Sequence, residues 1–222
     1  MCGITGHINF SSENKLDQIT LNAMISSMEH RGPDDDGSYI HSDCQIGMRR
    51  LSIIDALNGA QPISSDDNQV VIVMNGEIFN YQELKDILHI DGESFNTNSD
   101  TEVLLKLYIK YGKQCIEMID GMFAFCIIDH RSKSAWLARD RSGIKPLYYT
   151  ILDQSIIFGS TLDSIIKSNI IQPRISQDSI DLYLVLSYVP TPKTIYDDIY
   201  KLEPGHEINI NLKEININKY WD

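Results

Sequence analysis

Residues 121–140, "GMFAFCIIDHRSKSAWLARD", hold two apolar, β-rich runs, 122–129 and 134–140, separated by the polar tetrad His130–Lys133. Each run is too short for a helix of ordinary length and is rich in aromatic and branched residues. The pair therefore reads as a hairpin of two antiparallel strands. Two more runs, "PLYYTILD" (146–153) and "SIIFGS" (155–160), repeat the pattern. Upstream, "ITGHINF" (4–10), "SYIHSD" (38–43), "CQIGMRRLSII" (44–54) and "QVVIVMN" (69–75) read as strands, and "HEINI" (206–210) as a late one.

Helical patterns fall between these groups. In "LDQITLNAMISSMEH" (16–30), Leu16, Ile19, Ala23, Met24 and Met28 recur at helical spacing, and the Gly and Pro of "RGPDDDG" end the helix. "YQELKDILHI" (81–90) is a short helix. "SDTEVLLKLYIKYG" (99–112) is a longer one, with Ser99 as N-cap, Glu102 three residues on and Gly112 at its end. Ser160 can cap "TLDSIIKS", and Ser176 can cap "QDSIDLYLVLS", which the prolines of "VPTP" (189–192) stop. Strands grouped in hairpins, with helices between the groups, predict an α+β fold of antiparallel sheets covered by helices.

Composition narrows the class. The chain has 222 residues, 42% of them hydrophobic, and a net charge of -12. That is enough chain to bury a core without disulfides or metal staples. The acidic balance argues against a general affinity for nucleic acid or anionic lipid, which a basic face would require. No basic segment followed by an apolar stretch opens the chain, and the longest apolar runs fall far short of the roughly 20 residues that cross a bilayer. The expectation is a cytoplasmic protein whose four cysteines, Cys2, Cys44, Cys115 and Cys126, are reduced thiols. None forms a CxxC pair, no clustered metal-ligand spacing is present, and the acidic run 34–36 fails the register of a calcium loop.

Four stretches could carry chemistry. Cys2 stands behind Met1; if Met1 is removed, the α-amino group, with an ordinary pKa of about 7.7–8.0, becomes a base for the thiol beside it. Gly3 would let a substrate approach closely. Asn75-Gly76, read alone, is a strong hairpin-turn signal. The alternative is an oxyanion hole formed by the Asn75 amide and the Gly76 N–H, with the Glu77 carboxylate alongside. Arg49 and Arg50, adjacent on a strand, point to opposite faces, so one can turn inward to grip a carboxylate or both can be solvated. Asp100 either favours the positive end of its helix or pairs with a substrate ammonium.

Taken together, "MCGITG", "HRGPDDDG", "RRLSIIDALNGAQPI", "VMNGEIFNYQEL", "SDTEVLLKLYIKYG", "GMFAFCIID", "RDRSGIKPLYY", "FGSTLDSI" and "YVPTPKTIYDDIYKLEPGH" resemble the glutaminase domain of class II, N-terminal-nucleophile glutamine amidotransferases. The resemblance runs in family order over nearly the whole chain and is nearest to glutamine-hydrolysing asparagine synthetases of the bacterial B type. It implies a four-layer α/β/β/α sandwich with two stacked antiparallel sheets, as one domain over 1–222, with a core to about 212 and the start of a linker over 213–222. It implies Cys2 as nucleophile and Asn75 and Gly76 as the oxyanion hole. Arg50 would hold the α-carboxylate of L-glutamine, and Glu77 and Asp100 its α-amino group. Backbone of Arg50, Leu51, Ser52, Ile53 and Ile54 would line the site. "RDRSGIKPLYY" would face a partner ATP-pyrophosphatase synthetase domain or subunit. Such synthetases carry an SGGxDS-like loop for ATP, with magnesium; residues 1–222 hold no such loop, so no cofactor and no metal is expected in this stretch. The acceptor of the ammonia is aspartate by the nearest resemblance. A related amidotransferase with another acceptor, or a non-catalytic glutamine-binding or docking module, are the alternatives. A homodimer stays open.

Overall fold

The computed structural model describes residues 1–10 and 16–222. The hairpin of the opening stretch is present: β6 (Gly121–Asp129) pairs antiparallel with β7 (Ser134–Arg139), from Ala124 against Arg139 to Asp129 against Ser134. It lies at the centre of a six-stranded antiparallel sheet. On one side of it run β5 (Val70–Ile78) and the short β4 (Ile63–Ser64); on the other run β11 (His206–Asn211) and β12 (Ile215–Lys219). The second sheet orders β10 (Tyr200–Lys201), β8 (Tyr148–Leu152), β9 (Ser155–Gly159), β1 (Gly3–Ile8), β3 (Cys44–Arg50) and β2 (Asp35–Ile40).

The two-residue period of the strands explains the stacking. One face of the second sheet presents Ile4, Ile8, Ile46, Met48, Ile156 and Phe158; one face of the first presents Val71, Val73, Ala124, Cys126, Ile128 and Leu137. These faces bury one another and form the central core. The outer face of the first sheet, with Val70, Ile72, Met74, Phe125 and Trp136, takes α2 (Tyr81–Ile90) and α3 (Asp100–Tyr111). The outer face of the second, through Ile157, takes α1 (Gln18–Ser26) and α4 (Leu162–Ile166). The result is the four-layer α/β/β/α sandwich. Phe158 is fully buried in the central layer. Phe158→Ala is expected to lower unfolding free energy by about 3–5 kcal/mol, read as a lower urea midpoint at constant slope.

Local departures from the expected elements have physical causes. The buried stripe of α1 is Leu21, Met24 and Ile25, continued by Met28, while Ile19 is 79% exposed and Ala23 also faces out. Leu21, Met24, Ile25 and Met28 alone satisfy the i, i+3, i+4, i+7 spacing. Asp35 and Asp36, expected in a loop, lie in β2, where they oppose Arg50 and Arg49 across the ladder. Thr161, not Ser160, caps α4 by accepting from Ser164 N, while Ser160 Oγ accepts from Ile4 N at 3.0 Å. Residues 213–222, expected as the start of a linker, include β12, which pairs along β11. Beyond it, Tyr220 OH donates to Arg139 O at 2.6 Å, and Arg141 sits 4.2 Å from the Trp221 ring.

Candidate active site

The strand period that builds the core also assembles a cleft at one end of it. On β5, Val71 and Val73 face the central layer, and the same parity turns Asn75 and Glu77 inward. The "MNG" stretch does not turn: β5 continues through Asn75, Gly76 and Glu77 to Ile78, fully paired with β6, and Gly76 lacks the positive φ of a hairpin glycine. Ahead of β1, Cys2 packs against the same central layer. Arg50 ends β3, and Asp100 opens α3. Cys2, Arg50, Asn75, Gly76, Glu77 and Asp100 thus line one cleft of about 580 Å³ of open space.

Of the four cysteines, Cys2 alone is half-exposed; the others are buried. Burial pushes the Cys44 and Cys115 thiols up to about 12 and Cys126 well above the ordinary range, so none of these three offers a thiolate near neutral pH. Cys2 Sγ accepts from Leu51 N at 3.4 Å and lies 3.6 Å from Leu51 O. The space beside Gly3 is filled by Met28 and Arg31 rather than left for a ligand: a Cβ there would lie 2.9 Å from Met28 Sδ.

Asn75 is the anomaly of the site. Its side chain is 1% exposed, and both Nδ2 and Oδ1 lack a hydrogen-bond partner. Buried amides left so are uncommon because each unsatisfied group costs about 1–3 kcal/mol. The backbone next to it is open in a matching way. Beyond β4, the edge N–H of Met74 donates to Gln61 Oε1 at 2.6 Å and that of Ile78 to Asp100 Oδ2 at 3.0 Å. Strand alternation places the Gly76 N–H on this same edge, between those two. An amide donor and a backbone donor therefore adjoin at the cleft.

Charge in the cleft is divided by sign. Asp100 is 4% exposed; its Oδ2 accepts from Ile78 N, and Thr101 Oγ1 lies 3.5 Å from its Oδ1. Burial, aided by nearby Glu77, raises its pKa against those hydrogen bonds, so its charge is under-compensated without a cation. The expected inward arginine is Arg50, 5% exposed, while Arg49 binds Gly32 O and Asp36. Arg50 donates to the carbonyls of Ala56 (3.2 Å), Ile54 (3.1 Å) and Asp55 (2.8 Å), which folds the 51–59 loop over the site. Those bonds engage only part of its five-donor fork. Leu51, Ile53 and Ile54 line the cleft. Ser52 does not; its N–H is held by Asp34 Oδ2 at 2.8 Å.

Two further cations belong to this region. Arg31 Nε donates to Cys2 O at 3.0 Å, and its NH2 group is buried without a partner. Lys145, 6% exposed, lines the cleft from the "RDRSGIKPLYY" segment. Buried Asp140 organises that segment, accepting from the N–H groups of Phe123, Ser142, Ile144 and Lys145 at 2.9–3.2 Å. Arg139 braces it by donating to Gly143 O and Lys145 O. Arg31 and Lys145 lie in the quoted stretches "HRGPDDDG" and "RDRSGIKPLYY", but nothing local in either marks it for the cleft, because tertiary contact brings it there.

A family model described as a glutamine amidotransferase domain matches residues 1–221. Asparagine synthetase [glutamine-hydrolyzing] 1 of Bacillus subtilis is 40% identical over 95% of the chain, which covers 33% of that protein. Asparagine synthetase [glutamine-hydrolyzing] 3 of the same organism is 32% identical over 100% of the chain, which covers 37% of it. Among solved structures, the glutamine phosphoribosylpyrophosphate amidotransferase of B. subtilis, complexed with ADP and GMP, superposes on 99% of the chain with a TM-score of 0.71 at 21% identity, a likeness of fold; 49% of its own length is covered. The chain thus spans between a third and a half of the length of such relatives.

Proposed function

Because the chain belongs to the glutamine amidotransferase domain family, we propose that this cleft hydrolyses L-glutamine to glutamate and ammonia, with Cys2 as nucleophile. The observation that carries the assignment is the orphaned Asn75 amide on the wall shared with the one half-exposed thiol. A cleft with Glu77 and Asp100 opposite Arg50 suits a zwitterionic amino acid: carboxylates for its ammonium, a guanidinium for its carboxylate.

The steps follow from these placements. Removal of Met1, whose residue lines the cleft, frees the Cys2 α-amine to take the thiol proton. Sulfur adds to the side-chain carboxamide carbon, and the Asn75 Nδ2–H and Gly76 N–H bind the oxyanion. The amine passes its proton to nitrogen, the C–N bond breaks, and ammonia leaves a γ-glutamyl thioester. Water adds to the thioester, glutamate departs, and the thiol is restored. Arg31, through its bond to Cys2 O and its unpaired NH2, holds positive charge beside the nucleophile.

The ammonia is destined for an ATP-dependent synthetase portion that converts aspartate to asparagine, as the names of the relatives support; ATP and magnesium belong to that portion. The exposed C-terminal turn of α5 (Gln177–Leu186) supports such a neighbour. Tyr183, Leu184, Val185 and Leu186, then Tyr188, are exposed in one apolar run. No described helix is long and apolar enough to cross a membrane, and the four free thiols support a reducing, cytoplasmic setting.

Glutamate release by the purified chain, with its mature N-terminus determined by mass spectrometry, tests the proposal; no release from protein beginning at Cys2 would overturn it. Asp100→Asn keeps the shape and removes the charge, so the KM for glutamine should rise about 10–100-fold while kcat changes less. In the unsubstituted chain, KM should climb as pH falls through the raised Asp100 pKa, since the protonated carboxyl no longer attracts an ammonium. A flat KM profile between pH 4 and 8 would remove Asp100 from this role.

A further inference from the structure

At the end of the sandwich away from the cleft, three potential ligands converge. His41, Cys44 and His130 each place one ligand atom within 4.8 Å of the other two, the one such group among the described residues. His41 and Cys44 close the β2–β3 hairpin, where His41 N donates to Cys44 O at 2.8 Å. His130 follows β6 in the other sheet and is anchored by its N–H to Gln69 O at 2.8 Å. We propose that this triad is a structural transition-metal site of the zinc class, with the Cys44 thiolate and one imidazole nitrogen each from His41 and His130 as ligands, clasping the two sheets.

The donor set and its surroundings both fit. One thiolate and two imidazoles suit Zn²⁺ or Co²⁺ and not the oxygen-seeking Mg²⁺ or Ca²⁺. Tetrahedral bonds of about 2.0–2.3 Å put neighbouring ligand atoms roughly 3.4–3.6 Å apart. A small contraction of the triad reaches that, and exposed His41 can supply most of it by rotation. Each imidazole has an oxygen partner at one ring nitrogen, which leaves the second free for a metal, and such a partner fixes tautomer and ring direction in metal-binding histidines. Tyr39 OH lies 3.0 Å from His130 Nε2, while Ser42 Oγ and Asp43 Oδ2 lie 3.2 and 3.9 Å from His41 Nδ1. The two rings lie with centroids 4.3 Å apart and their planes tilted by 51°. When the metal–sulfur bond forms, the Cys44 thiol gives up its proton to solvent. No local spacing reveals the set, since His130 lies on a different hairpin from the other two. Cys44 and Arg50 stand at opposite ends of the seven-residue β3, about 20 Å of strand apart, so the clasp serves stability rather than the chemistry of Cys2.

Titration of the untagged full chain with Co²⁺ tests this. One equivalent should produce a thiolate-to-cobalt charge-transfer band that Zn²⁺ displaces. His41→Ala, at an exposed position, should weaken binding at least tenfold, and Cys44→Ser should remove the band while Cys2→Ser leaves it. Absence of the band in the wild-type chain, or unchanged Co²⁺ affinity in His41→Ala, would overturn the proposal. Were Cys44→Ser to misfold, the His41→Ala and His130→Ala titrations decide alone.

Discussion

Replacing Cys2 by alanine is expected to reduce glutamate release to the uncatalysed background while leaving the thermal midpoint within a few degrees of wild type. The functional loss is large because the thioester route has no substitute nucleophile. Cys44, Cys115 and Cys126 are buried thiols with raised pKa values. No hydroxyl in the cleft sits beside an α-amine that could serve it as base. Removing the nucleophile of a covalent mechanism lowers kcat by on the order of 10⁴-fold or more. The structural loss is small because Cys2 precedes β1, is half-exposed, packs only at the margin of the central layer and adds Sγ contacts to Leu51. Cys2→Ser should retain binding of glutamine, since Arg50 and Asp100 are untouched, and lose turnover almost as completely. Retention of even a tenth of wild-type kcat in Cys2→Ala would require a different nucleophile.

Asn75→Ala is expected to move activity and stability in opposite directions. The amide donates to an oxygen that carries charge only in the transition state, so kcat should fall by about 10²–10³-fold with KM little changed. In the unliganded fold the same amide is a liability, with both polar atoms buried and unpartnered. Its removal takes away a desolvation penalty of about 1–3 kcal/mol, offset in part by the small cavity left behind. The net expectation is a urea midpoint equal to or above wild type. A residue that merely braced β5 would show the reverse, with stability lost and kcat retained. The paired measurement therefore separates the two roles, and Asn75→Asp, an acceptor without the N–H donors, should match the alanine variant in kcat.

Much of the fold is legible because hairpins are local. The run 122–140 carries its own partner strand, and the same holds for β8 and β9. Ser99 and Gly112 bracket α3 as capping chemistry requires, with Ser99 Oγ accepting from Glu102 N and Gly112 at a positive φ of 60°. What stays hidden is non-local. The short strands β4, β10 and β12 have little pattern of their own and exist because a longer neighbour offers them an edge. The Asn75-Gly76 pair looks like a turn until β6 is seen to run alongside it and hold it extended. The contact of Arg31 with Cys2, the place of Lys145 in the cleft and the meeting of His130 with Cys44 are tertiary, and no window of sequence displays them. The gathering of Cys2, Arg50, Asn75, Gly76, Glu77 and Asp100 around one cleft was legible only through the family resemblance, since alone Asn75-Gly76 is a turn signal and Arg49 and Arg50 are indistinguishable. Ser52 was not, because nothing in "LSII" tells which residue of a loop turns away from it.

The central claim, that Cys2 in its mature form is the nucleophile, is tested most directly by covalent labelling. The chain is incubated with a glutamine analogue bearing an electrophilic diazoketone in place of the carboxamide, and its peptides are sequenced by mass spectrometry. The account predicts a single adduct on the thiol of a peptide that begins at Cys2, with Met1 gone, formed in step with loss of glutamate release and blocked by excess glutamine. An adduct on Cys44, Cys115 or Cys126, or full inactivation with Cys2 unmodified, would contradict it.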